Sequence, residues 1–370
     1  MFKNLFILLI CVLAIGCNSK DKENVSNGAI VINVDFSSPQ DGEALYTSNI
    51  VSSIDCIEIE ASEEPIGIIS DIKYNDGKYY LLDKSRQAIH IVDSVGHIIN
   101  TINRRGRANY EYITLQNMDV NPSNGEISVY DPYSRKVVVY DISGKLVRVV
   151  DSEDIGVARD FAVLKNGDYL FYKPDNVSDA RSGLWQTDSN GHFKKQLIEI
   201  DPEFQYGGVY PKYFTRINDD VVGLKGGEDY DRIYHISCDS INVKYQLKFN
   251  ITIPKALQES RLIEYEQYKG HIYTKRDYYE TNEWMYIAVS DFQKGVRIFY
   301  DKTNNKCHQI KDNSYLIEDL VIYGGFSASG ENRLMSVLDV ATILNYDSLK
   351  ERFPNITEDS NPIITVSHTK

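Results

Sequence analysis

Five apolar runs in this sequence open on polar pairs: Ser70-Asp71, Gln116-Asn117, Arg159-Asp160, Asn282-Glu283 and Glu318-Asp319. Oxygens of Asp, Asn and Glu are hard ligands, and about six to eight of them converging on one point would hold Ca²⁺. By that chemistry Asp71, Asn117 and Asp160 are the metal candidates, and calcium is the one cofactor they would suit. The plainer use of such residues is to satisfy water and neighbouring backbone at the start of a strand, and the sequence favours it. A second set carries positive charge. In "NRRGRANYEY", Arg104, Arg105 and Arg107 fall within four residues, followed by Tyr110, Glu111 and Tyr112. Forked guanidinium groups suit anionic sugars or carboxylates, which makes Arg104, Arg105, Arg107, Glu111 and Tyr112 ligand-binding candidates; the alternative is a solvated loop whose arginines pair with nearby acids. Arg159, Tyr210 and Trp284 complete the ligand-binding set. The loops "EFQYGGVYPKYF" and "RDYYETNEW" gather Tyr206, Tyr210, Tyr213, Tyr278, Tyr279 and Trp284, and exposed aromatic rings stack on sugars or anchor protein partners. Aromatic residues are also common in strands, so at least half of these are expected in the core.

No catalytic centre can be read. The seven histidines form no HExxH motif and no pair at metal-ligand spacing. Ser327 and Ser329 in "GGFSASGENR" are misplaced for a G-x-S-x-G elbow. His90 alternates with Ile89 and Ile91, the pattern of a structural strand residue. Beyond Cys11 and Cys17, the cysteines Cys56, Cys238 and Cys307 are odd in number and lack CxxC spacing. Cys56 in "SIDCIEIE" reads as a core thiol.

What positions these residues is a repeat. "YLLDKSRQAIHIVDSVGHI" (80–98) and "SVYDPYSRKVVVYDISGKL" (128–146) align at an offset of 48: Asp83 meets Asp131, Asp93 meets Asp141, and Gly96 meets Gly144. Each unit reads as strand, turn, strand, Asp-x-x-Gly turn, strand, because Asp bonds its own turn backbone and Gly supplies positive φ. The turn recurs at Asp188, Asp239 and Asp301. The longest step contains "PKALQESRLIEYEQYKG" (254–270), which starts with Pro, ends with Gly and predicts an inserted helix. Periods of this length built from short strands predict a β-propeller. The expectation is an all-β chain: six four-stranded antiparallel blades near residues 66–104, 114–151, 157–200, 209–250, 271–311 and 317–366, with short helical insertions. The strands "AIVINVDF" and "IVSSIDCIEIE" are available to complete the last blade, and "DVATILNYDSLKERF" reads as helical. In such a ring the first strand of each blade lines the central channel.

Composition and targeting narrow the setting. A net charge of −13 argues against a nucleic-acid partner, which needs clustered cations to replace counterions. Lys3, the apolar run Leu5 to Ile15 and Gly16 before Cys17 read as a lipoprotein signal over residues 1–16. Cys17 would carry the lipid, residues 17–29 would be a polar tether, and residues 30–370 the propeller. The apolar run is too short to span a bilayer, so the partner membrane is reached through acyl chains. The expected location is the cell envelope, anchored to the outer membrane on its periplasmic or outer face.

Four stretches carry a family likeness: "SNIVSSIDCIEIEASEEPIGIISDI", "INRRGRANYEYITLQNMDV", Glu280-Thr281 in "YYETNEWMYIAV", and "EDSNPIITV". In their order along residues 30–368 the chain resembles the six-bladed, NHL-repeat-like β-propeller lipoproteins of Gram-negative anaerobes. It departs from them where a Gly-Pro-Gly-Glu-Tyr-like turn is usual, keeping only Gly106, Glu111 and Tyr112. The resemblance implies a fold and a compartment more than a reaction. The functional expectation is a non-catalytic binding module for a glycan, peptide or partner protein. The alternative is a calcium-dependent hydrolase or lactonase using channel carboxylates.

Overall fold

Runs such as Lys136–Tyr140 (KVVVY) are β-branched and buried at every position, which a strand allows only when both faces of its sheet are covered. The sequence solves this by stacking six small sheets side by side. The computed structural model describes residues 28–34, 47–174, 181–200, 212–226, 232–249, 274–290, 295–311 and 328–370. Its strands form six sheets, each with a core of four antiparallel strands. Blade 1 comprises Ile69–Asn75, Lys78–Asp83, Ala88–Asp93 and Ile98–Ile102; blade 2 comprises Asn117–Val120, Ile127–Asp131, Lys136–Tyr140 and Leu146–Asp151. Blade 3 runs from Asp160–Val163 to Phe193–Ile198, blade 4 from Phe214–Arg216 to Ile241–Phe249, and blade 5 from Thr274–Glu280 to Lys306–Lys311.

Blade 6 closes the ring. Ala328–Gly330, Arg333–Leu338 and Ile363–Thr369 supply three strands, and the N-terminal Val51–Glu58 pairs with Ile363–Thr369 as the fourth. The other N-terminal strand departs from expectation. Ile30–Val34 pairs in parallel with Ile241–Phe249, making a fifth strand on blade 4 rather than completing the last blade. Its alternation explains the choice: Ile32 and Val34 are buried against the cluster shared by blades 4 and 5, while Val31 faces solvent. The helical reading of 254–270 lies outside the described residues. That of "DVATILNYDSLKERF" holds: α1 (Val340–Asn345), capped by the Asp339 carboxylate, and α2 (Asp347–Arg352) pack Ile343, Leu349 and Phe353 on blade 6.

Each junction between neighbouring blades has its own core. Tyr80, Leu82 and Ile91 of blade 1 meet Met118, Val129 and Val138 of blade 2. At the seam Ile57, Met335 and Val366 of blade 6 meet Ile72, Leu81 and Val92 of blade 1. Outer strands are correspondingly exposed, as in Leu146–Asp151. The repeated Asp residues do two jobs. Asp93, Asp141 and Asp188 accept backbone N–H groups two and four residues on, closing turns whose Gly96, Gly144 and Gly191 have φ of 98°, 76° and 85°. Asp83 and Asp131, fully buried, each hold the second hairpin of their blade and also accept from the preceding linker, at Gly67 N and Ile113 N.

Candidate functional site

Strand directions give the ring two distinct ends. Inner strands start at the face where inter-blade linkers cross, here the linker face, and end at the face carrying the hairpins between first and second strands, the hairpin face.

The arginine loop lies on the linker face and is held from below. Tyr112 is fully buried; its hydroxyl donates to Gln87 O at 2.7 Å and accepts from Arg104 N at 3.1 Å, and burial pushes it up to about 12. Glu111 accepts from Ala108 N, and a Cβ on Gly106 would fall 1.8 Å from its Oε2. Lys136 Nζ donates to Asn109 O, and Tyr140 OH to Tyr110 O. Glu111 and Tyr112 therefore act as the loop's fasteners rather than as a contact surface. Arg104, Arg105, Arg107 and Tyr110 remain exposed. Beside them lie the hairpins Lys84–Gln87 and Pro132–Arg135. Asp131 ties the second of these hairpins to the end of the arginine loop, accepting from both Tyr133 N and Ile113 N. These segments gather Lys84, Arg86, Arg104, Arg105, Arg107 and Arg135 around Glu111, with Arg86 paired to Glu64 at 2.7 Å and lying 3.9 Å from the buried Asp83. Ile68, Tyr110, Ile113 and Tyr133 stand among them at 72%, 50%, 40% and 76% exposure.

The other sequence candidates are placed elsewhere. Trp284 is buried among Ile50, Val51, Tyr286 and Leu334 at the junction of blades 5 and 6, unavailable to a ligand. Tyr213, Tyr278 and Tyr279 are also core residues. Arg159 donates its backbone N–H to Tyr172 O while its carbonyl accepts from the Asn117 amide. Tyr210, Glu318, Asp319 and Cys17 lie outside the described residues. Cys56 is half-buried, packed against the cluster of Leu338, Ile343, Leu349 and Ile363 and beside Arg352.

Asp71, Asn117 and Asp160 do share one level of the channel, but as a hydrogen-bonded plug. Asp160 Oδ1 accepts from Phe161 N and Asn117 Nδ2, and Oδ2 from Tyr213 N and Phe214 N. Four donors fill the lone-pair sites of one carboxylate. Asn117 turns its N–H₂ inward because both neighbouring atoms are acceptors. Asp71 faces cations instead, Lys73 at 3.0 Å and Lys212 at 2.6 Å. The expected set of free oxygens around one ion is not formed by these three, and no group of three or more His, Cys, Asp or Glu suited to a metal occurs among the described residues.

Beyond the plug the channel widens to a pocket of about 900 Å³ opening at the hairpin face. Lys73, Asp119, Lys212, Thr215 and Arg216 line its inner part; Asp76, Asp219, Glu331 and Arg333 belong to its mouth. Arg216 Nη2 reaches across the channel to Asp119 Oδ2 (2.8 Å) and Val163 O (2.6 Å). Burial opposes ionisation of Asp119, but the charges of Arg216 and Lys73 outweigh it and hold the carboxyl below its usual range. Burial and the neighbouring Lys73 charge lower Lys212. Sequence reasoning missed these residues, although Lys73 and Asp119 stand two positions beyond Asp71 and Asn117 on the same strand face; nothing local marks Lys212 or Arg216.

A second buried carboxylate pins blades 4 and 5 together. Glu280 Oε1 accepts from Tyr245 OH (2.7 Å) and Lys302 Nζ (2.5 Å), and Oε2 accepts from His235 Nε2 (2.9 Å) and Tyr278 OH. Burial alone would raise this carboxyl; His235 and Lys302 outweigh burial and hold it at about 2.

The profile of a family described as a domain of unknown function, DUF4934, matches residues 29–368. Among solved structures, an exported protein from Bacteroides fragilis shares 17% identity at a TM-score of 0.73, covering 92% of this chain and 99% of that one. A member of the DUF4221 family from Bacteroides vulgatus shares 13% identity at a TM-score of 0.49, covering 86% and 97%. Curated proteins provide no match.

Proposed function

The chain belongs to the DUF4934 family, and we propose that it is a lipid-anchored, non-catalytic recognition module that binds an acidic protein partner through the linker face of blades 1 and 2. One observation carries this: six cations, with Glu64 and Glu111 as the unburied carboxylates beside them, surround four exposed apolar side chains in a chain of net charge −13. Charge so segregated steers an oppositely charged partner. Aromatic and arginine side chains are the usual anchors of protein interfaces. The aliphatic Ile68 and Ile113 favour a protein over a glycan, because branched alkyl groups gain by burial against other apolar groups while sugars stack on ring faces.

The envelope setting draws on the lipoprotein-like residues 1–17 and on the exported protein of similar fold. No helix among the described residues is long and apolar enough to cross a membrane. Orientation supports the same face. Ile30–Val34 runs parallel to the outer strand of blade 4, so Ile30 sits at the hairpin-face end. A tether from Cys17 reaches that end, spanning up to about 40 Å when extended, and leaves the linker face pointing away from the anchor.

The test is fluorescence anisotropy of a labelled Glu/Asp-rich peptide containing Leu and Tyr, titrated with a chain starting at Asn18. Binding should weaken steeply with salt and be lost in Arg104→Glu/Arg105→Glu/Arg107→Glu, whose melting temperature should stay unchanged. Polygalacturonate as competitor reads out the glycan alternative; binding of polygalacturonate but not peptide, or unchanged peptide binding by the triple variant, would refute the proposal.

A further inference from the structure

The linker face carries opposite charges side by side. In blades 1 and 2 the connections between second and third strands are the cationic hairpins 84–87 and 132–135; in blade 6 the same connection is the longer 339–362, whose end therefore reaches the same face. There it meets the linker leading into blade 1. The Asn361 carboxamide, 3% exposed, staples the two: Nδ2 donates to Glu60 O (2.6 Å) and Ser62 Oγ (3.2 Å), and Oδ1 accepts from Ile66 N (2.6 Å). Residues 61–66 and 353–362 hold Glu63, Glu64, Glu358 and Asp359, all exposed, and no Lys or Arg. This acidic half adjoins the six cations of blades 1 and 2 along a fixed border. Arg86 pairs with Glu64 across it, and the exposed Ile68 is pinned on it, donating its N–H to Ser85 Oγ and accepting from Lys84 N.

A face with cations on one side of a line and carboxylates on the other is complementary to itself. A two-fold axis lying in the face along that line turns the cationic half of one copy onto the acidic half of the next, twice in one contact. We propose that the partner of the linker face is a second copy of this chain, joined in an isologous pair whose axis passes beside Ile68. This rests on the linker face being the interaction surface argued above, and it names the occupant. Ile68 of each copy meets its counterpart, and both leave water together. Exposed ion pairs contribute little singly, so the charges set register and approach, while Ile68, Tyr110, Ile113 and Tyr133 supply the apolar contact. The other two-fold arrangement, with the axis across the border, lays cations on cations. At physiological salt the Debye length is about 8 Å, so the groups in contact outweigh the repulsion between two chains of net charge −13.

Sedimentation velocity of the chain starting at Asn18, over a concentration series, reads the mass directly. The chain should approach dimer mass at about 100 mM salt and dissociate toward monomer at about 500 mM. Arg104→Glu/Arg105→Glu/Arg107→Glu and Glu63→Lys/Glu358→Lys/Asp359→Lys should each self-associate at least tenfold more weakly. Their equimolar mixture should associate again, because the two reversed halves face each other with opposite charge and the two unaltered halves do likewise. Restoration by mixing also shows that both variants fold. The acid-reversed variant should still bind the acidic peptide. A monomer at every concentration, self-association of either variant as strong as the parent's, or a mixture that stays monomeric would overturn the pairing. Peptide binding retained in that case leaves the linker face as the docking surface for a different acidic protein; peptide binding lost overturns that reading as well.

Discussion

Replacing Glu280 by Gln should be among the most damaging conservative changes in this chain. The carboxylate is 1% exposed and accepts from four donors, one of them the Lys302 ammonium. A carboxamide has one acceptor oxygen and would point N–H₂ at two of those donors. It would also leave Lys302 without its counter-charge, and breaking a buried pair by removing one partner costs about 3–5 kcal/mol. Linkage gives an independent figure. The carboxyl moves from 4.5 to about 2, and at 1.36 kcal/mol per unit this is about 3 kcal/mol. Because the folded value is depressed, that stability is fully present above pH 4.5 and is lost as pH falls toward 2. Urea titration at pH 7 should show the midpoint fall for Glu280→Gln with the slope unchanged. The melting temperature should drop by about 5 °C, given the unfolding entropy of a domain this size. Stability at pH 3 should differ much less between the two proteins. A loss below about 1 kcal/mol at pH 7, or an equal difference at both pH values, would refute the ion-pair reasoning.

Glycine positions offer a matched pair: Gly96→Ala puts a Cβ 2.1 Å from the backbone oxygen of Glu58 at φ 98°, so it should destabilise by several times the roughly 1 kcal/mol expected for Gly77→Ala, where φ is 73° and no atom lies within 4 Å. Denaturant midpoints of the two variants check this. Starting the chain at Thr47 removes Ile30–Val34, exposing the blade 4 edge and the sites of Ile32 and Val34; it should fold with a lower melting temperature, whereas a chain starting at Ile59 loses the closing strand and should not fold cooperatively by calorimetry. Tyr112→Phe keeps the ring but leaves Arg104 N and Gln87 O without their shared hydroxyl. It should cost about 1–3 kcal/mol and raise amide exchange across residues 104–112.

The repeat made the ring legible because each blade needs the same turn chemistry: Asp93, Asp141 and Asp188 recur where a carboxylate must close a turn ending in a positive-φ glycine. Blade limits followed, since continuous Val/Ile/Tyr runs mark strands covered on both faces. The destination of Ile30–Val34 did not, because its alternation fits any exposed sheet edge and only the three-dimensional arrangement offers blade 4. Burial of Trp284 was hidden for a similar reason, as nothing local tells a ring packed between blades from one on a loop. The channel polar residues take the plainer of the two uses their positions suggested, satisfying backbone, but their partners were not legible: two of the backbone donors for Asp160 come from Tyr213 and Phe214, more than fifty residues away. Arg216 reaches Asp119 across the channel, a contact between distant blades that no local pattern encodes.

The most direct measurement is amide hydrogen–deuterium exchange of the Asn18-start chain with and without the acidic peptide. The account predicts added protection confined to residues 84–87, 104–113 and 132–135, with the hairpin-face segments around Asp76, Asp219 and Glu331 unchanged. Protection that appears at the hairpin face while the arginine loop exchanges as before would contradict it.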